Sequence, residues 1–207
     1  NFNGDLGGEG FCINCTNKHV SVTANTDAGR LYAMFYLKRM ADCGEKIEDK
    51  FQVTEKPAFQ YRVLNHWDNH NLTVERGYAG KSLWKWEELV GKIRPEGEEY
   101  ARANASIGIN GTVLNNVNAD ARMLSREYLE KVKVLADIFR PYNLKVYLSL
   151  NFAAPKHLAG LKTSDPLDKD VQQNLDYVNS KTLDRFNKVP ELFITRWFNT
   201  ILTWFTV

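Results

Sequence analysis

Three short apolar runs, each leading towards a polar cluster, do most to limit what this chain can fold into. Tyr61 to Leu64 is followed by Asn65-His66-Trp67-Asp68-Asn69, Ile107 to Ile109 by Asn115-Asn116-Val117-Asn118 a few residues on, and Leu144 to Leu150 by Asn151. Between the second and third runs, Tyr128, Leu129, Val132, Leu135, Ala136 and Phe139 recur at spacings of three and four, the pattern of an amphipathic helix. Ser125 offers a cap at its start and Pro141 a stop at its end. Strand, helix, strand is the unit of a parallel sheet, because parallel neighbours need a long crossover. In β/α barrels the chemistry lies at the C-terminal strand ends, where loops vary without disturbing the core. The three polar clusters are therefore expected to meet on one rim.

Upstream of Pro57 the pattern is different. Gly4, Gly7, Gly8 and Gly10 introduce two short runs, Phe11 to Ile13 and Val20 to Ala24, that read as strands. Thr26 and Asp27 then precede Leu31, Tyr32, Phe35, Tyr36 and Arg39, which places the aromatic residues on one face of a helix with an N-cap. A helix packed on a small sheet is the expectation for residues 1–57.

With 43% apolar and 12% aromatic residues among 207, the chain can build a real core. Its 27 basic and 25 acidic residues nearly cancel and are scattered, so no basic stripe suits a nucleic acid. No apolar stretch approaches the roughly 20 residues that span a bilayer, and Asn1 to Glu9 lack the features of a signal peptide. Three cysteines leave at least one thiol free, which favours a reducing, cytoplasmic compartment. Cys12 and Cys15 form a C-x-x-C, but no second pair follows at zinc spacing, so no metal or other cofactor is expected.

A rim of Trp, Asn, His and carboxylate suits a sugar. An indole face stacks on apolar C–H patches, while amides and carboxylates bind hydroxyls. The candidate site is centred on Trp67 and Asp68. His66 and His70 are spaced i, i+4, but this segment leaves a strand, so a hydrogen-bonded strand-end histidine is expected instead of a metal pair.

The words around these clusters are long and specific. Tyr61-Arg62-Val63-Leu64-Asn65-His66-Trp67-Asp68-Asn69, then Val74-Glu75-Arg76-Gly77-Tyr78-Ala79-Gly80, resembles the opening barrel strand and following loop of the family 67 α-glucuronidases. The run from Tyr100 to Ala119 resembles that family's second strand region. Val146 to Ala153 and Ser164 to Asp168 resemble its third, and the likeness extends over about residues 6–190.

The resemblance implies an α/β chain: the end of a small α+β N-terminal domain (1–57), then the first three or four repeats of an incomplete (β/α)8 TIM barrel (58–207). It implies a glycoside hydrolase that removes α-1,2-linked (4-O-methyl)glucuronic acid from xylooligosaccharides with inversion, the full-length enzyme a possible homodimer. Residue by residue, Trp67 matches a tryptophan near the uronic acid, Glu75 a pocket carboxylate, and Val117 an apolar residue near the 4-O-methyl position. Asp68 and Asn116 complete the expected substrate-binding set. The family's general acid and base are expected beyond the resembling region, so no catalytic residue is assigned, and Asp68 with Glu75 is not read as the catalytic pair. From about residue 191 the chain reads Glu191-Leu192-Phe193-Ile194-Thr195-Arg196-Trp197-Phe198-Asn199 and departs from the family pattern. A reading-frame change or a wrongly ended gene fragment near Leu192 is the expectation, and with it a fragment inactive alone. The alternative is a non-catalytic carbohydrate-binding remnant.

Overall fold

The structure is a computed structural model that describes residues 4–89, 95–115, 120–149, 154–165, 167–173, 192–198 and 201–203. Two sheets organise it. The first is antiparallel, in the order β2-β1-β3, with β1 (Phe11–Thr16), β2 (His19–Ala24) and β3 (Gln52–Glu55). Helix α1 (Asp27–Asp42) connects β2 to β3, and Thr26 caps it, its hydroxyl accepting from the Gly29 N–H. Phe11 and Ile13 alternate onto one face of β1 and pack with Tyr32 and Ala33 of α1. Cys12 and Cys15 lie on opposite faces of β1, both buried, and Cys43 is exposed; all three are free thiols.

The second sheet runs β4-β5-β6-β7-β8. Strands β4 (Val63–Asn65), β5 (Gly111–Val113), β6 (Lys145–Ser149) and β7 (Leu192–Phe198) pair in parallel, whereas β8 (Ile201–Thr203) returns antiparallel to β7. The crossover from β4 to β5 passes through α2 (Trp86–Leu89) and α3 (Pro95–Ser106), and that from β5 to β6 through α4 (Arg126–Phe139). Helix α5 (Ala154–Ala159) follows β6. Ser125 stands at the N-cap of α4, and Pro141 falls in the single 3-10 turn that ends it. A parallel sheet crossed by helices is the architecture the apolar runs imply.

One run is misplaced by the sequence reading. Ile107 to Ile109 is the turn that closes α3, not a strand. Gly108 takes a left-handed backbone (φ +81°) and Ile107 is 73% exposed. The strand starts at Gly111, where it meets Val63 on one side and Lys145 on the other. Partner register overrides local β-propensity here.

The period-2 alternation sorts the parallel strands into two faces. Leu114, Val146 and Leu148 point into the helix layer, packed with Tyr128, Val132, Leu135, Ala136 and Phe139 of α4 and with Trp84 and Trp86. Val63, Gly111, Val113, Asn115, Tyr147 and Ser149 occupy the other face. Gly111 is required there: a Cβ would stand 2.6 Å from the Tyr147 ring and 3.0 Å from Val63 Cγ2. Gly111→Ala is expected to cost about 1–3 kcal/mol, because the added Cβ meets the buried Tyr147 ring and the Val63 side chain at once. Urea unfolding with an unchanged m-value checks this.

Candidate functional site

At the C-terminal ends of the parallel strands, the sequence cluster after β4 is split by the same alternation. The His66 N–H donates to the Val113 carbonyl at 3.0 Å, continuing the β4–β5 ladder past the strand. Its ring turns into the helix layer, where Nε2 lies 2.6 Å from the Tyr100 hydroxyl and the ring meets Trp84 edge-on. The expected hydrogen-bonded strand-end histidine is thus present. Trp67 then belongs with Asn65 on the opposite face, and it is 38% exposed.

Asp68 lies elsewhere. It is 3% exposed, and its carboxylate accepts from Ser82 Oγ at 2.5 Å, while the Trp84 N–H donates to that same Ser82 oxygen at 3.0 Å. Together with the Asp68–Val74 and Thr73–Lys81 bridges, this knits residues 68–82 into a closed loop over the strand end. Asn69 tightens it, its side-chain amide donating to Thr73 Oγ1 and to the Glu75 carbonyl. Glu75 sits at the loop's turn in a left-handed backbone (φ +58°), its N–H donating to the Trp67 carbonyl at 2.8 Å. It is half-buried and accepts from the Tyr78 hydroxyl. The loop therefore leaves Trp67 exposed and Glu75 half-buried, and it buries Asp68.

The neighbouring strand ends are fixed by Asn115. Its amide donates to the Ser149 carbonyl at 2.9 Å and accepts from the Ser149 N–H at 2.8 Å, a two-point clamp from β5 to the last residue of β6. Asn116, Val117, Asn118 and Asn151 lie outside the described residues.

Burial sets the electrostatics behind the rim. It lowers the His66 pKa, against the opposing charge of Asp68, so the imidazole is neutral at pH 7. It pushes the Tyr100 hydroxyl up to about 12, only partly offset by the Thr112 hydrogen bond. Further out, the Arg122 guanidinium and N–H hold Asp120 at about 2. Lys131, with its side chain 4% exposed, reaches Glu127 and Glu87 at 2.9 and 3.1 Å. Among the described residues, no group of three His, Cys, Asp or Glu side chains is placed to hold a metal. Nor is any described helix long and apolar enough to cross a membrane.

Sequence reasoning missed Tyr100, Thr112 and Ser82. Residues 66 and 100 are joined only by the path of α3 across the sheet, and no local spacing signals that. The Ser82 contact was equally hidden, 14 residues from Asp68 across a loop with no repeat.

Parallel strands crossed by helices, with an exposed tryptophan and a carboxylate at their C-terminal ends, define a β/α architecture with its candidate site on one rim. Solved structures share the fold. One is CpGH84B, with a TM-score of 0.61 at 13% identity over 93% of this chain and 31% of that one. Another is a GH138 enzyme targeting pectin rhamnogalacturonan II, with a TM-score of 0.60 at 16% identity over 91% of this chain and 24% of that one.

Sequence places the chain more narrowly. Residues 42–194 match the glycosyl hydrolase family 67 middle domain, and the chain belongs to that family. It is 35% identical over 188 residues to the probable alpha-glucuronidase A of Aspergillus clavatus, covering 91% of this chain and 22% of that protein. It is likewise 35% identical over 190 residues to the alpha-glucuronidase A of Emericella nidulans, covering 89% of this chain and 22% of that protein. The chain thus spans about a fifth of the length of these relatives.

Proposed function

We propose that this chain carries the uronic-acid-recognising part of a xylan α-glucuronidase. The whole enzyme hydrolyses α-1,2-linked (4-O-methyl)glucuronic acid from xylooligosaccharides. The observation that supports this best is Trp67: an aromatic face left open at a strand end, next to Glu75, on a chain 35% identical to alpha-glucuronidases. Residues 1–57 form the end of an N-terminal domain, and residues from 58 open the barrel. Trp67 stacks on the sugar ring, Glu75 accepts from its hydroxyls, Asn116 belongs to the same substrate-binding set, and Val117 serves the 4-O-methyl position. Asp68 acts from beneath, holding the loop through Ser82.

Hydrolysis with inversion needs a carboxylic acid and a carboxylate on opposite faces of the sugar, about 6.5–9.5 Å apart, so that water fits between base and anomeric carbon. We assign both to sequence beyond the resembling region, because the Asp68 carboxylate is buried and engaged and Glu75 is held at the loop turn. That engagement of Asp68 also favours a second reading, a carbohydrate-binding remnant without hydrolysis.

Calorimetry separates these outcomes. The chain is expected to bind an aldouronic acid more tightly than the unsubstituted xylooligosaccharide. Trp67→Ala should weaken binding about tenfold, the loss of a contact worth ~1.4 kcal/mol. Equal affinity for the two oligosaccharides would sink the proposal. Binding without release of glucuronic acid selects the remnant.

A further inference from the structure

Directly behind the rim lies a polar chain for which sugar binding gives no reason. His66 Nε2 is 2.6 Å from the Tyr100 hydroxyl, which is 2.9 Å from Thr112 Oγ1. Thr112 is fully buried, and the surrounding layer is aromatic and aliphatic: Trp84 and Phe139 both pack on the Tyr100 ring. Apolar side chains would fill this space without desolvating three polar groups. What a hydrogen-bonded chain adds is orientation, since hydrophobic contact is non-directional and a short hydrogen bond is not.

The ring fixed in this way belongs to the residue before Trp67. The residue-66 peptide is held by its own N–H on the Val113 carbonyl, and the Trp67 carbonyl is held by the Glu75 N–H. Trp67 therefore hangs between two anchored peptide units, and the imidazole is the third anchor, on the opposite face of the strand. Released from Tyr100, the ring would seek water for Nε2 and turn the residue-66 backbone with it.

We propose that Thr112, Tyr100 and His66 form a positioning relay that sets the orientation of the Trp67 indole for a uronic acid. The proposal rests on the reading of Trp67 as the stacking platform, but its structural half can be measured without ligand. The chain is labelled with 5-fluorotryptophan, and the Trp67 resonance is assigned through Trp67→Phe. Wild type is expected to give a single sharp fluorine line for Trp67. Tyr100→Phe should broaden or split that line and weaken aldouronic acid binding about tenfold, equivalent to 1.4 kcal/mol. Thr112→Ser, which keeps the hydroxyl, should retain the sharp line and the affinity. Leu135→Ala, which removes buried volume from the same helix layer but none of the relay's polar groups, should lower the unfolding midpoint and leave the line sharp. An unchanged Trp67 line in Tyr100→Phe, or equal broadening in Leu135→Ala, overturns the relay. A broadened line in Tyr100→Phe, alongside a Trp67→Ala variant that binds as well as wild type, upholds the relay and removes the sugar platform instead.

Discussion

Gly10→Ala is expected to destabilise the protein by about 3 kcal/mol or more, at the top of the range for overpacking. Its added Cβ would collide with the Leu6 carbonyl oxygen and stand 2.9 Å from that of Glu55. Both are backbone atoms, so no side chain can swing away. The Gly10 N–H already closes a turn onto the Leu6 carbonyl at 3.0 Å, and the Gly10 carbonyl faces Gly29 of α1 so closely that a Cβ at residue 29 would stand 2.5 Å from it. Two glycines thus let α1 lie against the start of β1. For a chain of this length, such a loss lowers the unfolding midpoint by on the order of 10 °C. Thermal unfolding followed by circular dichroism reads it, and a midpoint within about 2 °C of wild type would show that the turn has room the geometry denies. The consequence reaches the second sheet, because Gly10 follows Glu9.

What was legible in the sequence is what local pattern encodes. Thr26 and Ser125 mark helix starts because the N-cap needs a short residue in extended backbone, and the aromatic spacing of α1 and α4 repeats with the helical turn. β6 is legible because a strand buried on both faces carries an unbroken apolar run, here Val146-Tyr147-Leu148. β3 is not: Gln52–Glu55 has one apolar residue, and it becomes a strand only because β1 offers a free ladder. The site divides in the same way. Trp67 was legible as an exposed residue at a strand end because polar words at strand ends have a positional meaning. Whether Asp68 joins it depends on Ser82, and whether His66 faces the rim or the helix layer depends on counting two residues from Leu64. The Glu75 turn carries its carboxylate on a left-handed backbone, which ordinary sequence preferences disfavour for glutamate. Strain of this kind is commonly found where a loop is shaped for binding, and it is invisible to propensity.

Glu9→Ala is expected to have the other large effect, about 2–4 kcal/mol, because it uncouples the two sheets. The Glu9 carboxylate accepts from the Arg62 guanidinium, from the Asn110 amide at 3.1 Å and from the Asn143 amide at 2.8 Å. These residues immediately precede or closely approach β4, β5 and β6, so one carboxylate from the first unit gathers the N-terminal ends of three parallel strands, opposite the rim. Asn143 also donates to the Tyr32 hydroxyl of α1. The Glu9 and Arg62 side chains are each 18% exposed, and removing one leaves the other's charge poorly solvated, the costly way to break an ion pair. The pair is not fully buried, which keeps the figure below the top of the roughly 3–5 kcal/mol range for buried pairs. Burial alone would raise the Glu9 pKa. The hydrogen bonds from Arg62, Asn110 and Asn143 and the Arg62 charge outweigh it, so the folded value lies below the ordinary 4.5. A carboxylate with a depressed folded pKa contributes its stability in full above the unfolded value. That contribution is lost as pH falls from about 4.5 through the lower folded value, where the folded state must take up the proton the unfolded state already holds. Urea unfolding of wild type from about pH 7 to about pH 3 should therefore steepen below about 4.5, and Glu9→Gln should show less of that fall while starting lower. Parallel pH profiles for wild type and Glu9→Gln would place the acid loss at other carboxylates and leave Glu9 only a packing role.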